Sequence, residues 1–146
     1  MNETDEPFFL DTNILVYAHK SDEGEKHIIA KQLVEACMKG EKSLTISNQI
    51  LGEFCRVMLF KPDHPAPKDK VIAIIDAILY LKSWKKIDYT SKSIREALLL
   101  NETIFIWDAV IAQTMLENGI TTIYTENTKD FEKIKGIKAV NPFKTH

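Results

Sequence analysis

The chain has 146 residues, of which 45% are hydrophobic and 27% charged, with 5 Gly and 5 Pro. This composition excludes collagen-like, low-complexity and wholly disordered proteins, and a chain of this length can bury a core without disulfide bonds. The net charge of −2 gives no general sign of a nucleic-acid-binding protein. We therefore expect one globular domain over residues 1–146.

The sequence predicts neither a membrane span nor a secretion signal. The longest apolar run, 71–81, is interrupted by Asp76 and is shorter than the ~18–20 residues that a membrane helix needs. The N-terminus is acidic, whereas a signal peptide begins with basic residues. Cys37 and Cys55 do not form a Cys-x-x-Cys pair, so we expect both to be reduced core residues of a cytoplasmic protein.

Short apolar segments alternate with helical patterns, which predicts an α/β fold with a mostly parallel central sheet. The predicted strands lie at 8–10, 43–47, 86–89, 121–124 and 139–140. The predicted helices lie at 14–19, 25–39, about 48–60, 68–84, 91–100 and 108–118. Thr12 or Asn13 is expected to cap the first helix, and the proline-rich segment 62–67 can only be a loop.

The helix predicted at 68–84 has a narrow polar face. Between residues 71 and 81 the polar positions are Asp76 and Tyr80, whereas a surface helix of a single domain usually has a broader polar strip. Two explanations follow: the helix lies at the centre of the core, or a partner covers it.

Four acidic residues are predicted at the carboxyl edge of the sheet, where open α/β sheets bind their ligands. Asp11 follows the first strand, and Glu53 lies one to two turns into the helix after the second. Asp108 is in the first turn of its helix, and Asp130 lies a few residues beyond the strand that ends at Tyr124. Each also has an ordinary structural explanation, as a turn or cap residue, a solvent-facing side chain or a favourable charge at a helix N-terminus.

The segments around these acids resemble the PIN-domain family. They are FFLDTNILVYA at 8–18, SNQILGEF at 47–54, WDAVIA at 107–112 and YTENTKDF at 124–131, and NPF at 141–143 fits the family's tail. The matches extend over nearly the whole chain. The resemblance implies a three-layer PIN-like fold, with helices flanking the sheet, of the type found as stand-alone toxins in prokaryotic toxin–antitoxin pairs.

The resemblance implies a metal-dependent endoribonuclease that hydrolyses phosphodiester bonds of single-stranded or structured RNA. The residues that match the family's metal-binding and catalytic acids are Asp11, Glu53, Asp108 and Asp130. Oxygen ligands suit Mg²⁺ or Mn²⁺ rather than Zn²⁺, and the four histidines have no ligand spacing. Asn13 and Thr125 are candidates for orienting the carboxylates. The family also implies a homodimer and a cognate antitoxin protein as partners.

Three positions leave alternatives open. Glu126 occupies a slot in which the family often has a basic residue, so this acid is expected to repel substrate phosphate. Glu126 or Asn127 could also fill the fourth position in place of Asp130. Gly52 costs its helix ~1 kcal/mol relative to alanine, and it either lets a backbone approach beside Glu53 or has no special role.

Other classes of protein compete with the nuclease hypothesis. A non-catalytic RNA- or protein-binding module on the same fold is expected if an essential acid is lost, but all four positions are filled. Haloacid-dehalogenase-like phosphatases need a second aspartate two residues after the first, and that position is Asn13. A receiver-type acidic pocket needs its phosphate acceptor directly at a strand end, whereas Asp108 begins a helix.

Overall fold

A computed structural model describes residues 6–61, 63–100 and 103–144 of the chain. Its strands are β1 (Phe8–Leu10), β2 (Leu44–Ser47), β3 (Trp84–Ile87), β4 (Thr122–Tyr124) and β5 (Lys138–Val140). They form one sheet in the order β3-β2-β1-β4-β5, and each neighbouring pair is parallel. The predicted parallel α/β sheet is therefore confirmed, with β5 at its edge.

Helices connect all the strands. They are α1 (Thr12–Ala18), α2 (Glu25–Met38), α3 (Asn48–Phe60), α4 (Lys68–Tyr80), α5 (Ser91–Ala97), α6 (Ile106–Glu117) and α7 (Thr128–Phe131). α1 packs on α2 and α3, α3 packs on α4, and α5 packs on α6. Right-handed crossovers place α1–α4 on one face of the sheet and α5 and α6 on the other, because the chain reverses direction across the sheet after β3. The result is the expected three-layer arrangement.

This reversal creates a switch point between β1 and β4. The chain leaves β1 towards β2 on one side, while β4 pairs with β1 on the other. Loops that diverge in this way leave a crevice at the carboxyl ends of the two strands. Asp11 follows β1 and Thr125 follows β4, and the Asp11 N–H donates to the Tyr124 carbonyl at 3.1 Å.

The core holds the elements around this crevice in place. The β1 residues Phe9 and Leu10 and the β4 residue Ile123 are fully buried. α6 is covered on most of its surface, since residues 109–112 together with Thr114 and Met115 are all buried. A helix packed so closely cannot shift easily, and its first turn carries Asp108.

The predicted cap of the first helix was wrong. α1 begins at Thr12, and its N-cap is Asp11 rather than Thr12 or Asn13. The Asp11 Oδ1 atom accepts a hydrogen bond from the Thr12 N–H at 2.8 Å. The strand therefore passes into the helix without an intervening loop, and the carboxylate that caps the helix stays at the sheet edge.

The boundary between α4 and β3 also differs from the prediction. The helix expected over 68–84 ends at Tyr80, and the strand expected at 86–89 begins at Trp84. Trp84 is buried in the sheet, where it pairs with Leu44. The C-terminus of α4 is stabilised by Lys86, whose Nζ donates to carbonyl oxygens near the end of the helix. The apolar run that continues through the boundary thus contributes residues to both α4 and β3.

α4 does not lie at the centre of the core. Two of its side chains, Val71 and Ile78, are buried, whereas Ile72, Leu79 and Tyr80 are 52%, 54% and 86% exposed. The first of the two explanations for its narrow polar face is therefore excluded.

The remaining predictions about the chain hold with small changes. Residues 63–67 form the expected loop, and Pro62 lies outside the described residues. Cys37 and Cys55 are free thiols, but Cys55 is only half-buried rather than a core residue. Within the described ranges, no helix is sufficiently long and apolar to cross a membrane. α7 was not predicted.

Candidate active site at the sheet edge

Asp11 is held by hydrogen bonds from both strands of the switch point. Its Oδ2 atom accepts from the Thr125 hydroxyl at 2.6 Å, and its Oδ1 atom accepts from the Thr12 N–H. Thr125 is fully buried, and its Oγ1 also accepts the Asn127 N–H at 3.0 Å. The predicted orienting role of Thr125 therefore has a direct contact to support it.

The environment of Asp11 favours its neutral form. Burial raises the pKa of Asp11, and the hydrogen bonds from Thr125 and Thr12 offset only part of that increase. The negative charges of Glu53 and Glu126 raise the pKa further. The carboxylate is thus partly desolvated and close to other acids, as a cation-binding group would be.

Glu53 is held by contacts from two helices. The Thr12 hydroxyl donates to Oε2 at 2.7 Å, and the Gln49 amide donates to Oε1 at 3.2 Å. The same Gln49 nitrogen donates to the carbonyl oxygen of Trp107 at 3.2 Å. These bonds connect α1, α3 and α6, so the position of Glu53 depends on the helix that carries Asp108.

Asp108 shares its surroundings with the other three predicted acids. Burial raises the pKa of Asp108 to about 6, and the negative charges of Asp11, Asp130 and Glu53 contribute to the increase. The Asn127 amide donates to the Oδ2 atom of Asp108 at 3.2 Å, and this hydrogen bond offsets a small part of the increase in pKa. The structure thus brings Asp108 within electrostatic reach of the other three acids.

Asp130 lies at the rim of this group. It stands in α7, its side chain is 35% exposed, and Lys133 Nζ is 3.3 Å from its Oδ1 atom. Hydrogen bonds from Asn127 and Lys133 lower the pKa of Asp130. Asn127 thus donates to Asp108 and also lowers the pKa of Asp130.

Glu126 is paired with a cation, although its charge also reaches Asp11. Its two carboxylate oxygens accept from the Tyr17 hydroxyl at 2.7 Å and from Lys26 Nζ at 2.6 Å. Burial alone would raise the pKa of Glu126, but these hydrogen bonds and the charge of Lys26 lower it overall. The expected repulsion of substrate phosphate is therefore offset by Lys26, a residue that the sequence did not single out.

Two residues were given roles that their positions do not support. Asn13 is exposed, and within the described part of the chain no hydrogen bond connects its side chain to an acid. Gly52 is exposed as well, and a Cβ atom placed there would meet nothing within 4 Å. The close backbone approach considered for Gly52 is wrong.

The residues that do orient the acids were mostly missed. Thr12 and Gln49 contact Glu53, and Asn127 contacts Asp108. Gln49 lies four residues before Glu53 in α3, so helical spacing alone could have indicated that contact. The bond from Thr12 required knowledge of how α1 packs against α3.

The donor set is suited to a hydrated divalent cation. Among residues 6–61, 63–100 and 103–144, no three acidic, imidazole or thiolate side chains form a ready-made metal cage. Mg²⁺, however, needs only one or two protein carboxylates and keeps several water ligands. Two half-buried aspartates at one crevice, whose charges repel each other, meet that requirement with oxygen ligands alone.

Comparisons with known proteins agree with this geometry. The family model for the PIN domain matches residues 8–137. The fold is similar to that of VapC20 from Mycobacterium tuberculosis, a sarcin–ricin loop cleaving toxin, with 19% identity, a TM-score of 0.61 and coverage of 82% of this chain and 89% of that one.

Two complexes show the same similarity of fold. One is a toxin–antitoxin complex from Klebsiella pneumoniae, with 25% identity, a TM-score of 0.59 and coverage of 92% of this chain and 97% of that one. The other is DNA-bound VapBC from Salmonella typhimurium, with 21% identity, a TM-score of 0.61 and coverage of 94% and 98%. No curated protein sequence is similar enough to this chain to count as a match. Because the family model spans most of the chain and the acid-lined crevice lies within that span, this protein belongs to the PIN domain family.

Proposed function

We propose that this protein is a metal-dependent endoribonuclease and the toxin of a toxin–antitoxin pair. The observation that supports the proposal most is the environment of Asp108 at the switch-point crevice. The negative charges of Asp11, Glu53 and Asp130 act on this carboxyl and raise its pKa. The PIN domain and its similarity to a cleaving toxin support the same activity. Such a toxin acts in the cytoplasm, on RNA.

Asp11 and Asp108 are the residues that we propose bind Mg²⁺ or Mn²⁺ directly. Glu53 and Asp130 would bind through water, because Glu53 is already engaged by two donors and Asp130 lies at the rim beside Lys133. When bound, the cation lowers the pKa of a water molecule and stabilises the leaving oxygen of the phosphodiester.

The protein's own groups orient the reaction. Thr125 and Thr12 fix the two oxygens of Asp11, so this carboxylate cannot rotate away from the crevice. Glu53 is similarly fixed by Thr12 and Gln49, and we propose that it accepts a proton from the attacking water. Lys26 holds Glu126 aside and reduces the negative charge that an approaching phosphate meets.

The proposed partners are a second copy of the chain and an antitoxin. The exposed apolar side chains of α4 and the adjacent Phe60 of α3 form a surface that water solvates poorly. Similar folds occur in toxin–antitoxin complexes. A non-catalytic RNA- or protein-binding module is the competing function, and cleavage assays separate the two.

Replacing Asp11 with asparagine is expected to abolish RNA cleavage. Asp11→Asn removes a charged cation ligand but keeps an amide oxygen that accepts from the Thr12 N–H as the helix cap, and its NH2 group can donate to the Thr125 hydroxyl oxygen. We expect the rate in Mg²⁺ or Mn²⁺ to fall at least about 100-fold, since even indirect partners of metal ligands are worth 10–100-fold. The matched control is Asp63→Asn, at an exposed loop carboxylate, and EDTA should stop cleavage by wild type and control alike. Cleavage by Asp11→Asn within a few-fold of wild type would contradict the assignment.

We expect the protein to be a dimer in solution. Sedimentation at micromolar concentration should give twice the chain mass of 16.7 kDa. Ile72→Glu, which places a charge on the apolar surface of α4, should give monomers. Ile28→Glu is the control, because Ile28 is 56% exposed and lies on α2. A monomer mass for wild type, or a dimer that Ile72→Glu leaves intact, would contradict dimerisation through α4.

Without metal, the acids should destabilise the fold in a pH-dependent way. The pKa of Asp108 is raised from 3.8 to about 6, so the folded state holds this proton more tightly than the unfolded state. The free energy of unfolding therefore falls as the pH rises through this range. In EDTA at pH 7–8, Asp108→Asn should be more stable than wild type by about 1 kcal/mol after solvent screening, with no difference near pH 4. Thermal melts measure this, with Asp63→Asn as the control. Equal melting temperatures of wild type and Asp108→Asn at both pH values would contradict it.

A further inference from the structure

A groove begins at Glu53 and runs along the surface beside the acids. Its first part is an open cavity of about 340 Å³ lined by residues that include Gln49, Gly52, Glu53, Arg56, Tyr89 and Trp107. A second cavity of about 500 Å³ shares Gln49 and Tyr89 with the first and extends to α5. We refer to this continuous depression as the Trp107 groove.

The Trp107 groove has aromatic walls. Trp107 is 40% exposed, and its ring meets the Tyr89 ring edge-on, with centroids 5.9 Å apart. The backbone of Trp107 is fixed by Gln49, which also holds Glu53, and the next residue is Asp108. An exposed indole therefore stands on the residue that precedes a proposed cation ligand.

The charges of the groove differ from those of a phosphate-binding surface. Its first cavity is lined by the anion Glu53 and the cation Arg56, and its second cavity adds the anion Asp88. Proteins that bind the sugar–phosphate backbone alone use several lysines or arginines instead. The Asn48 amide offers a donor and an acceptor, and Gln49, whose NH2 group already binds Glu53 and the Trp107 carbonyl, offers its amide oxygen. Aromatic faces together with amides and one guanidinium match a nucleobase and a single phosphate.

We infer that the Trp107 groove binds an unpaired nucleobase of single-stranded RNA next to the cleaved phosphodiester. The base stacks on Trp107, and Arg56 contacts its phosphate. A base within a duplex cannot enter, because its faces are already stacked and its edge is paired. This inference rests on the proposed nuclease function and specifies which form of RNA the site accepts.

Gly52 provides a way to block the groove without altering its other residues. It lines the first cavity, and the space beside its Cα is empty to 4 Å. Leucine has a better helix propensity than glycine, so Gly52→Leu should keep α3 folded. Its side chain would fill the space that we assign to the base.

The test measures RNA binding by the non-cleaving Asp11→Asn protein in Mg²⁺, with a fluorescently labelled single-stranded RNA oligonucleotide. We expect Trp107→Leu and Gly52→Leu to weaken binding about tenfold and Trp107→Phe to change it less than about threefold, because phenylalanine can still stack. Ile28→Ala is the control, since Ile28 is exposed on α2 and lines neither the groove nor the α4 surface. An abasic oligonucleotide of the same length should bind weakly and be insensitive to Trp107→Leu.

Tryptophan fluorescence gives an independent measure. The chain has two tryptophans, and Trp84 is 1% exposed, so RNA that stacks in the groove should quench only the signal of Trp107. Single-stranded RNA should quench it in a saturable way and duplex RNA should not. The inference would be overturned if single-stranded RNA did not bind or if Trp107→Leu did not change the affinity of the Asp11→Asn protein for it. Quenching by duplex RNA as strong as that by single-stranded RNA would also overturn it.

Failure of the nuclease proposal would be seen separately. Binding and quenching that depend on Trp107, without cleavage by the wild-type protein in Mg²⁺ or Mn²⁺, would contradict the nuclease and leave the base-binding groove supported. Cleavage that is unaffected in rate and KM by Trp107→Leu would contradict the groove and leave the nuclease supported.

Discussion

The hydrogen bond from Thr125 to Asp11 is the contact on which the arrangement of the site depends. It joins the exits of β1 and β4 at 2.6 Å, across the point where the strand order reverses. Because Thr125 is fully buried, its hydroxyl has little freedom to bond elsewhere. Asp11 also caps α1, so one carboxylate fixes the start of that helix and its place beside β4. The hydroxyl of Thr12, the first residue of α1, donates a hydrogen bond to Glu53, so the position of this helix also restricts Glu53.

The site concentrates negative charge and limits it at the same time. Asp11 and Asp108 lie where burial and neighbouring acids raise their pKa values, which a divalent cation would offset. The carboxylates of Glu126 and Asp130 form ion pairs with Lys26 and Lys133. The carboxylates that a cation would stabilise most therefore lie at the centre of the crevice, and the net charge of its rim is closer to zero. A phosphodiester can approach such a rim at a lower electrostatic cost than it would meet if all the acids were unpaired.

The sequence was sufficient for the features that depend on local pattern. Short apolar or β-branched segments located four of the five strands to within one residue at each end, and the residues after β1 and within α6 indicated the acids. The C-terminus of α4 was not predictable, because the apolar run there continues into Trp84, whose pairing with Leu44 is a long-range contact. The partner of Glu126 is likewise distant, since Lys26 lies 100 residues away in the chain. Asn13 had the right chemistry beside Asp11 but points to solvent, while its neighbour Thr12 makes the contact.

If the acids at the switch point form one cation site, Mn²⁺ should bind there, and electron paramagnetic resonance measures that binding. We expect saturable binding by wild type and by Glu126→Gln, whose acid is already paired with Lys26. Binding should be at least about tenfold weaker for Asp108→Asn and for Thr125→Val, because an orienting partner of a metal ligand is worth 10–100-fold in affinity. The same affinity in all four proteins would show that these acids do not form one cation site.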